Sequence, residues 1–265
     1  MTTNAPIYDR LWRVLRLEVH AIADREPALV GVLIPLLAPQ MHLRDALALV
    51  LAQRLAGPDM GQEHLVEILK EGLQAKLSIP DAAAQDLVAI QTNDPASRTH
   101  AHAFLNYKGF HAVQVARIAR AFWYAGRFDL AVWLSNRASM AFGPDIHPAA
   151  QLGSGLMLDH GSGIVIGETA VVEDDVTILQ NVTLGGTGKE RGARHPKVRR
   201  GVLIGAGANI IGNIELGAFS KIGAGSVVLE NVPANCTVVG IPAKIVRTHR
   251  AAGLPSEDTH ATCAC

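Results

Sequence analysis

The sequence predicts an α+β protein: an all-helical N-terminal domain followed by a solenoid of short parallel strands. Three observations carry that expectation. Before position 145 apolar residues recur at three- and four-residue steps, and from Ile146 the period becomes six. Gly and aromatic residues also segregate: 17 of the 25 glycines lie in 146–245, and 11 of the 12 aromatic residues precede that segment. The boundary is therefore placed between a domain at 1–144 and one at 145–245, with a flexible tail at 246–265.

In the first half, Leu11, Leu15, Val19 and Ile22 mark one amphipathic helix and Leu65, Ile68, Leu69 and Leu73 another. Pro27, Pro35, Pro39, Pro58 and Pro80 punctuate the series, because a proline inside a helix loses a hydrogen bond and clashes with the preceding turn. The expected helices are 6–23, 28–37, 41–55, 61–77, 81–92, 95–105, 109–125 and 127–139. The aromatic residues of Phe104–Met140 are read as packing between helices and onto the second half.

In the second half the aliphatic series are Ile146, Leu152, Leu158 and Ile164, then Ile166, Val172, Ile178 and Leu184, then Ile204, Ile210, Leu216, Ile222 and Val228. Small or β-branched residues follow four positions later, as at Ala150, Ala170, Val182, Ala208 and Ser226. Each hexamer makes one short strand and one tight turn. Three of them close a coil, and coils stack at the parallel-strand spacing of roughly 4.8 Å.

Composition excludes several classes of function. Lys plus Arg and Asp plus Glu are equal at 24 each and 49% of residues are hydrophobic, which fits neither a strongly basic nucleic-acid binder nor a disordered chain. No apolar run approaches the roughly 18 residues of a membrane span. Met1–Arg10 lacks the basic start and apolar core of a signal peptide, so a cytoplasmic location is expected. Cys236, Cys263 and Cys265 are too few and too poorly spaced for a disulfide framework.

A regular repeat locates function at its interruptions. One lies at Leu158–Ile166, where the phase slips by two residues around Asp159, His160, Gly161 and Gly163. The other is the insertion 187–200, TGKERGARHPKVRR, whose arginines suit a carboxylate or phosphate, with a solvated loop as the plain alternative. GGTGK at 185–189 lacks the spacing of a phosphate-binding P-loop. Asp145 and His160, each near the start of a coil, form a candidate pair in which a carboxylate fixes the imidazole as a general base. His147 serves either a similar role or a turn before Pro148.

The motifs together resemble a known family. DIHPAA at 145–150, LDHGSGIVIGETAVV at 158–172, LQNVTLGGTGK at 179–189, RHPKV at 194–198 and IGAGANIIGNIE at 204–215 are similar to serine O-acetyltransferases, as are NDPAS at 93–97 and YKGFHAVQVARIA at 107–119 upstream. The resemblance implies a left-handed parallel β-helix of hexapeptide repeats, a hand that periodicity does not give. It implies acetyl transfer from acetyl-CoA, as co-substrate, to L-serine in cysteine biosynthesis, with no metal. Matched motif to motif, His160 is the base and Asp145 its partner, and Asp94 and Asp159 bind the serine ammonium. Arg194 and His195, from across a subunit boundary, bind the carboxylate and hydroxyl, and Gly186, Thr187, Ala206, Gly207, Lys221 and Gly225 line the acetyl-CoA groove.

The resemblance further implies trimers of prisms joined as a dimer of trimers, and L-cysteine as a feedback inhibitor. Partnering with O-acetylserine sulfhydrylase is doubtful, because the family's tail for that purpose ends in Ile and this chain ends Ala264-Cys265. Three competing readings follow from the same residues: a hexapeptide acyltransferase for a sugar or diaminopimelate precursor, a γ-class carbonic anhydrase using His147, His160 and His195, and a noncatalytic solenoid. His260, Cys263 and Cys265 offer a soft-metal site, with a plain mobile terminus as the alternative.

Overall fold

A computed structural model of the chain describes residues 7–38, 41–76, 78–188 and 191–249. The expectations for the tail residues 250–265, including His260, Cys263 and Cys265, and for Lys189 in the insertion lie outside the described residues.

The architecture is α+β, an all-helical N-terminal domain followed by a left-handed parallel β-helix. The helices are α1 (Ile7–Arg25), α2 (Val30–Leu33), α3 (Leu43–Leu55), α4 (Gln62–Ala75), α5 (Ser78–Asn93), α6 (His100–Asn106), α7 (Lys108–Tyr124) and α8 (Phe128–Phe142). In α1 the expected stripe of Leu11, Leu15 and Val19 is buried and Leu17 on the opposite face is exposed. Each fully buried leucine contributes about 1.5–3 kcal/mol relative to an exposed one.

Two expected helices differ for local reasons. The span 28–37 is broken into short pieces, with 3₁₀ turns at Pro27–Leu29 and Ile34–Leu37 flanking α2, because Pro35 interrupts the ladder. The span 95–105 begins only at His100. The Asp94 carboxylate accepts the Ala96 N–H in a turn at 2.8 Å, and the Thr99 hydroxyl then caps α6 by accepting the His102 N–H at 3.1 Å. Pro80 does not punctuate α5; it lies in the first turn, where a missing N–H costs nothing.

In the aromatic segment Phe104, Phe110 and Phe122 are buried as expected, whereas Tyr124 and Phe128 stand exposed. Within it His111 is almost fully enclosed and its Nε2–H donates to the Phe104 carbonyl at 2.8 Å. Burial pushes its pKa down to about 4. The folded imidazole is therefore neutral, while the unfolded one titrates near 6.5, so its contribution is complete above pH 6.5 and is lost as pH falls towards 4. We predict a loss of about 3 kcal/mol from this residue over that window. Denaturant unfolding across pH at one protomer concentration checks it: His111→Gln should flatten the slope, and an unchanged slope contradicts it.

The prism begins with β1 (Asp145–Ile146), β2 (Gln151–Leu152) and β3 (Met157–Leu158). The second coil is β4 (Val165–Ile166), β5 (Val171–Val172) and β6 (Thr177–Ile178). The third is β7 (Thr183–Gly185), β8 (Lys197–Val198) and β9 (Leu203–Ile204). The fourth is β10 (Asn209–Ile211), β11 (Glu215–Leu216) and β12 (Lys221–Ile222). β13 (Val227–Val228), β14 (Cys236–Gly240) and β15 (Ala243–Thr248) close the end. Three sheets result: β1-β4-β7-β10-β13, β2-β5-β8-β11 and β3-β6-β9-β12-β14-β15. All pairs are parallel except β14 with β15. Ile146, Ile166, Leu184, Ile210 and Val228 stand over one another in the first sheet and point inward.

Register exposes the two interruptions. Ile166 pairs with Leu184 at the regular step of eighteen residues, whereas Ile146 pairs with Ile166 at twenty and Val172 with Val198 at twenty-six. The second interruption is shorter than the span 187–200, because Lys197–Val198 already forms β8, and Arg199 and Arg200 belong to the prism wall. Arg199 pairs with Glu173 at 2.7 Å and also with Glu215; Arg200 pairs with Asp175 at 2.7 Å. Likewise Val246–Thr248 continue β15, so the segment from 246 opens as a strand rather than a flexible tail.

The domains meet over the first coil, where α5 and α7 contact β3. Gly109, at the start of α7, admits that approach: a Cβ there would lie 2.0 Å from the Leu158 carbonyl oxygen. Among the described residues no helix is long and apolar enough to cross a membrane.

Candidate functional site

The outer edges of the first sheet carry nearly all the chemistry. Turns entering that sheet, after β3, β6, β9 and β12, stack along one edge, and turns leaving it, after β1, β4 and β7, stack along the other. Asp159, His160, Ala206, Gly207 and Gly225 lie on the entering edge. His147, Glu168, Thr169, Gly186, Thr187, Arg194 and His195 lie on the leaving edge.

On the entering edge a cleft of about 410 Å³ opens between the α6–α7 junction and the turn after β3, lined by Asp94, Tyr107, Lys108, Asp159 and His160. Several turns of the prism hold one left-handed residue three positions after the inward aliphatic, as at Asp175, Asn181, Gly207 and Gly225. The turn after Leu158 holds three, His160 (φ 56°), Gly161 (φ 72°) and Gly163 (φ 69°), which is how two extra residues are taken up. A non-glycine residue in that region costs roughly 1–3 kcal/mol. Here it presents the imidazole outward, with His160 72% exposed. The Lys108 ammonium donates to Ser162 Oγ and ties the turn to α7.

Both oxygens of Asp94 are held: Oδ1 accepts the Ala96 N–H and Oδ2 accepts the Tyr107 hydroxyl, each at 2.8 Å. Burial, then the Asp94 carboxylate, pushes the Tyr107 phenol up to about 12, so it stays a neutral donor.

The leaving edge presents the complementary charge. His195 is buried between consecutive turns; a Cβ on Gly167 would lie 2.0 Å from its ring, so glycine there makes the imidazole's space. Its Nδ1 accepts the Thr169 N–H at 3.2 Å, which leaves Nε2–H as a donor. Burial, followed by the Arg194 charge, lowers its pKa from the usual imidazole range. The Thr169 hydroxyl accepts the backbone N–H groups of Arg194 and His195 at 2.9 and 3.1 Å and shapes the end of the insertion. The Arg194 guanidinium pairs with Glu168. Burial also lowers the pKa of His147; its Nδ1 accepts the Ala149 N–H at 3.1 Å and its ring packs edge-on against Trp123, which is the turn role.

The structure brings Asp94, Asp159 and His160 together, and separately Arg194 and His195. It does not bring Asp145 to His160: within one protomer no ion pair or hydrogen bond joins them among the described residues. Asp145 projects from the outer face of β1, and the carboxylate near His160 Nε2 is Asp159 at 3.7 Å. His147, His160 and His195 likewise divide between the two edges. Of the expected groove residues, Ala206, Gly207 and Gly225 stack along the entering edge, Gly186 and Thr187 along the leaving edge, and Lys221 projects from the third sheet. Sequence reasoning missed Tyr107, Lys108, Glu168 and Thr169; the signals were a polar pair interrupting the helical segment at 107–108 and a polar pair inside an aliphatic stretch at 168–169.

Comparison with known proteins identifies the family. A family profile described as "Serine acetyltransferase, N-terminal" matches residues 11–115. The serine acetyltransferase of Haemophilus influenzae is 50% identical over 242 residues, covering 91% of each chain. A solved serine acetyltransferase in complex with cysteine is 49% identical with a TM-score of 0.89, covering 92% of this chain and 95% of that one. The Brucella abortus enzyme in complex with coenzyme A is 46% identical with a TM-score of 0.88, covering 91% and 96%. With this identity extending through both domains, the chain belongs to the serine acetyltransferase family.

Proposed function

We propose that this chain carries out its family's reaction, acetyl transfer from acetyl-CoA to the hydroxyl of L-serine in cysteine biosynthesis, at a site completed by two neighbouring prisms. The observation that carries the reading is the division of charge between the two edges of one sheet. Carboxylates and an exposed imidazole lie on the entering edge beside Lys108, and a guanidinium, paired within the protomer with Glu168, lies with an imidazole N–H donor on the leaving edge. Set against the leaving edge of a neighbour, the entering edge matches the groups of L-serine: Asp94 and Asp159 take the ammonium, Arg194 and His195 the carboxylate and hydroxyl.

His160 then removes the serine hydroxyl proton as the oxygen attacks the thioester carbonyl. The tetrahedral oxyanion collapses, the C–S bond breaks, and the imidazolium returns the proton to the departing CoA thiolate. Asp145 is proposed to orient the imidazole once substrate fills the site. The groove for acetyl-CoA runs between the stacked turns, with Gly186 and Thr187 from one prism facing Ala206, Gly207 and Gly225 of the next, and Lys221 reaching its far end. L-Cysteine presents the same ammonium and carboxylate as serine, which supports its action as a competing inhibitor. A trimer of prisms, a dimer of such trimers and a cytoplasmic location complete the proposal.

The test is CoA release followed with L-serine, with sugar and diaminopimelate-precursor acceptors, and with added L-cysteine. L-Serine should be preferred and L-cysteine should compete with it; faster turnover of another acceptor class would overturn the reading.

A further inference from the structure

We infer that Tyr107 is a positioning residue for the amino-acid substrate, its hydroxyl setting the Asp94 carboxylate to receive the substrate ammonium. This rests on the proposed role of Asp94 and goes beyond it to a residue that acts through that carboxylate.

Asp94 lies outside any helix, in the turn between α5 and α6, and such a turn leaves a carboxylate free to rotate. Two donors remove that freedom. The Ala96 N–H holds Oδ1 as part of the turn itself, and the Tyr107 hydroxyl holds Oδ2 from the start of α7, thirteen residues on. Tyr107 sits at the boundary of α6 and α7, beside Lys108 and Gly109, where the helical domain touches β3. The phenol thus fixes Asp94 relative to the turn bearing Asp159 and His160, which belongs to the other domain. A phenol suits the task because it stays neutral with its proton available for donation, as burial ensures here. A cationic donor at that position would itself compete with the ammonium for the carboxylate.

The consequence is a selective effect on amino-acid binding. A hydrogen bond to a charged group is among the stronger ones, and we expect Tyr107→Phe to raise KM for L-serine on the order of 10-fold. The KM for acetyl-CoA should stay within about twofold, and kcat should fall less than threefold on the order set by uniform loss of binding. The inhibition constant for L-cysteine should rise in parallel with the serine KM.

The experiment is a double-mutant cycle on the full chain with Asp94→Ala. The inference expects Tyr107→Phe to act in the wild-type background and to have almost no further effect once Asp94 is gone. Equal effects in both backgrounds, no effect in either, or a Tyr107→Phe chain that does not fold would each overturn it, the last by assigning the hydroxyl to stability. If Asp94→Ala itself leaves the serine KM unchanged, the reading of Asp94 fails instead.

Discussion

Replacing His160 by alanine should lower kcat by roughly 10²–10⁴-fold, the usual contribution of a positioned general base. The acetyl-CoA KM should hardly move. His160 stands 72% exposed on a left-handed turn, so its side chain supports little of the fold, and truncation removes chemistry rather than packing. Stopped assays of CoA release with saturating L-serine measure the loss, and circular dichroism confirms the fold. Near-normal turnover would remove His160 from the mechanism. Asp145 and Asp159 separate in the same assay. Asp159→Asn should act mainly on the serine KM, because that carboxylate faces the Asp94 cleft. Asp145→Asn should act on kcat if Asp145 orients the imidazole, and an unchanged kcat would exclude that role.

Removing Arg117 should destabilise the protein by about 3–5 kcal/mol, the cost of leaving one member of a buried ion pair alone. Arg117 of α7 and Asp86 of α5 are only 6% and 1% exposed. The guanidinium spans Asp86 and the Gly153 carbonyl, while Asp86 Oδ1 also accepts the Leu156 N–H at 2.8 Å and Oδ2 accepts from Gln114 at 2.8 Å. The pair therefore joins two helices to the first coil of the prism. Arg117→Ala would strand a carboxylate and a carbonyl at the domain seam, a large fraction of the 5–15 kcal/mol typical of a folded protein. The midpoint of urea unfolding, read at one protomer concentration, checks this. A shift equivalent to less than about 1 kcal/mol would mean that water satisfies the stranded groups.

The arrangement of the fold was legible because each half obeys a single period. The stripe Leu11, Leu15, Val19 and the series Ile166, Val172, Ile178, Leu184 are buried as their spacing requires. Boundaries were harder where side-chain capping decides them. Thr99 begins α6, and no pattern of apolar residues announces it. The true length of the insertion is legible in the sequence, since Val198 stands six residues before Ile204 and marks the strand that resumes the prism.

The site divides in the same way. Asp159 and His160 were visible as an interruption of the repeat, and Arg194 and His195 as polar residues in the insertion. Tyr107 acts on Asp94 from a different helix junction, with α6 between them, and such a contact leaves no periodic trace. The pairing of Asp145 with His160 was drawn from their near-coil spacing. In the protomer the carboxylate beside the imidazole is that of Asp159, at 3.7 Å.

The most direct test of the central claim, that two prisms make one site, is subunit complementation. One chain carries Asp94→Ala and His160→Ala, which disables the entering edge; the other carries Arg194→Ala and His195→Ala, which disables the leaving edge. Each is expected to be inactive alone. Unfolded together and reassembled, they should regain up to roughly a quarter of wild-type activity, the share of interfaces in a randomly mixed ring that join two intact edges. A mixture that reassembles into mixed oligomers and stays inactive, or a single wild-type protomer that is active by itself, would contradict the account.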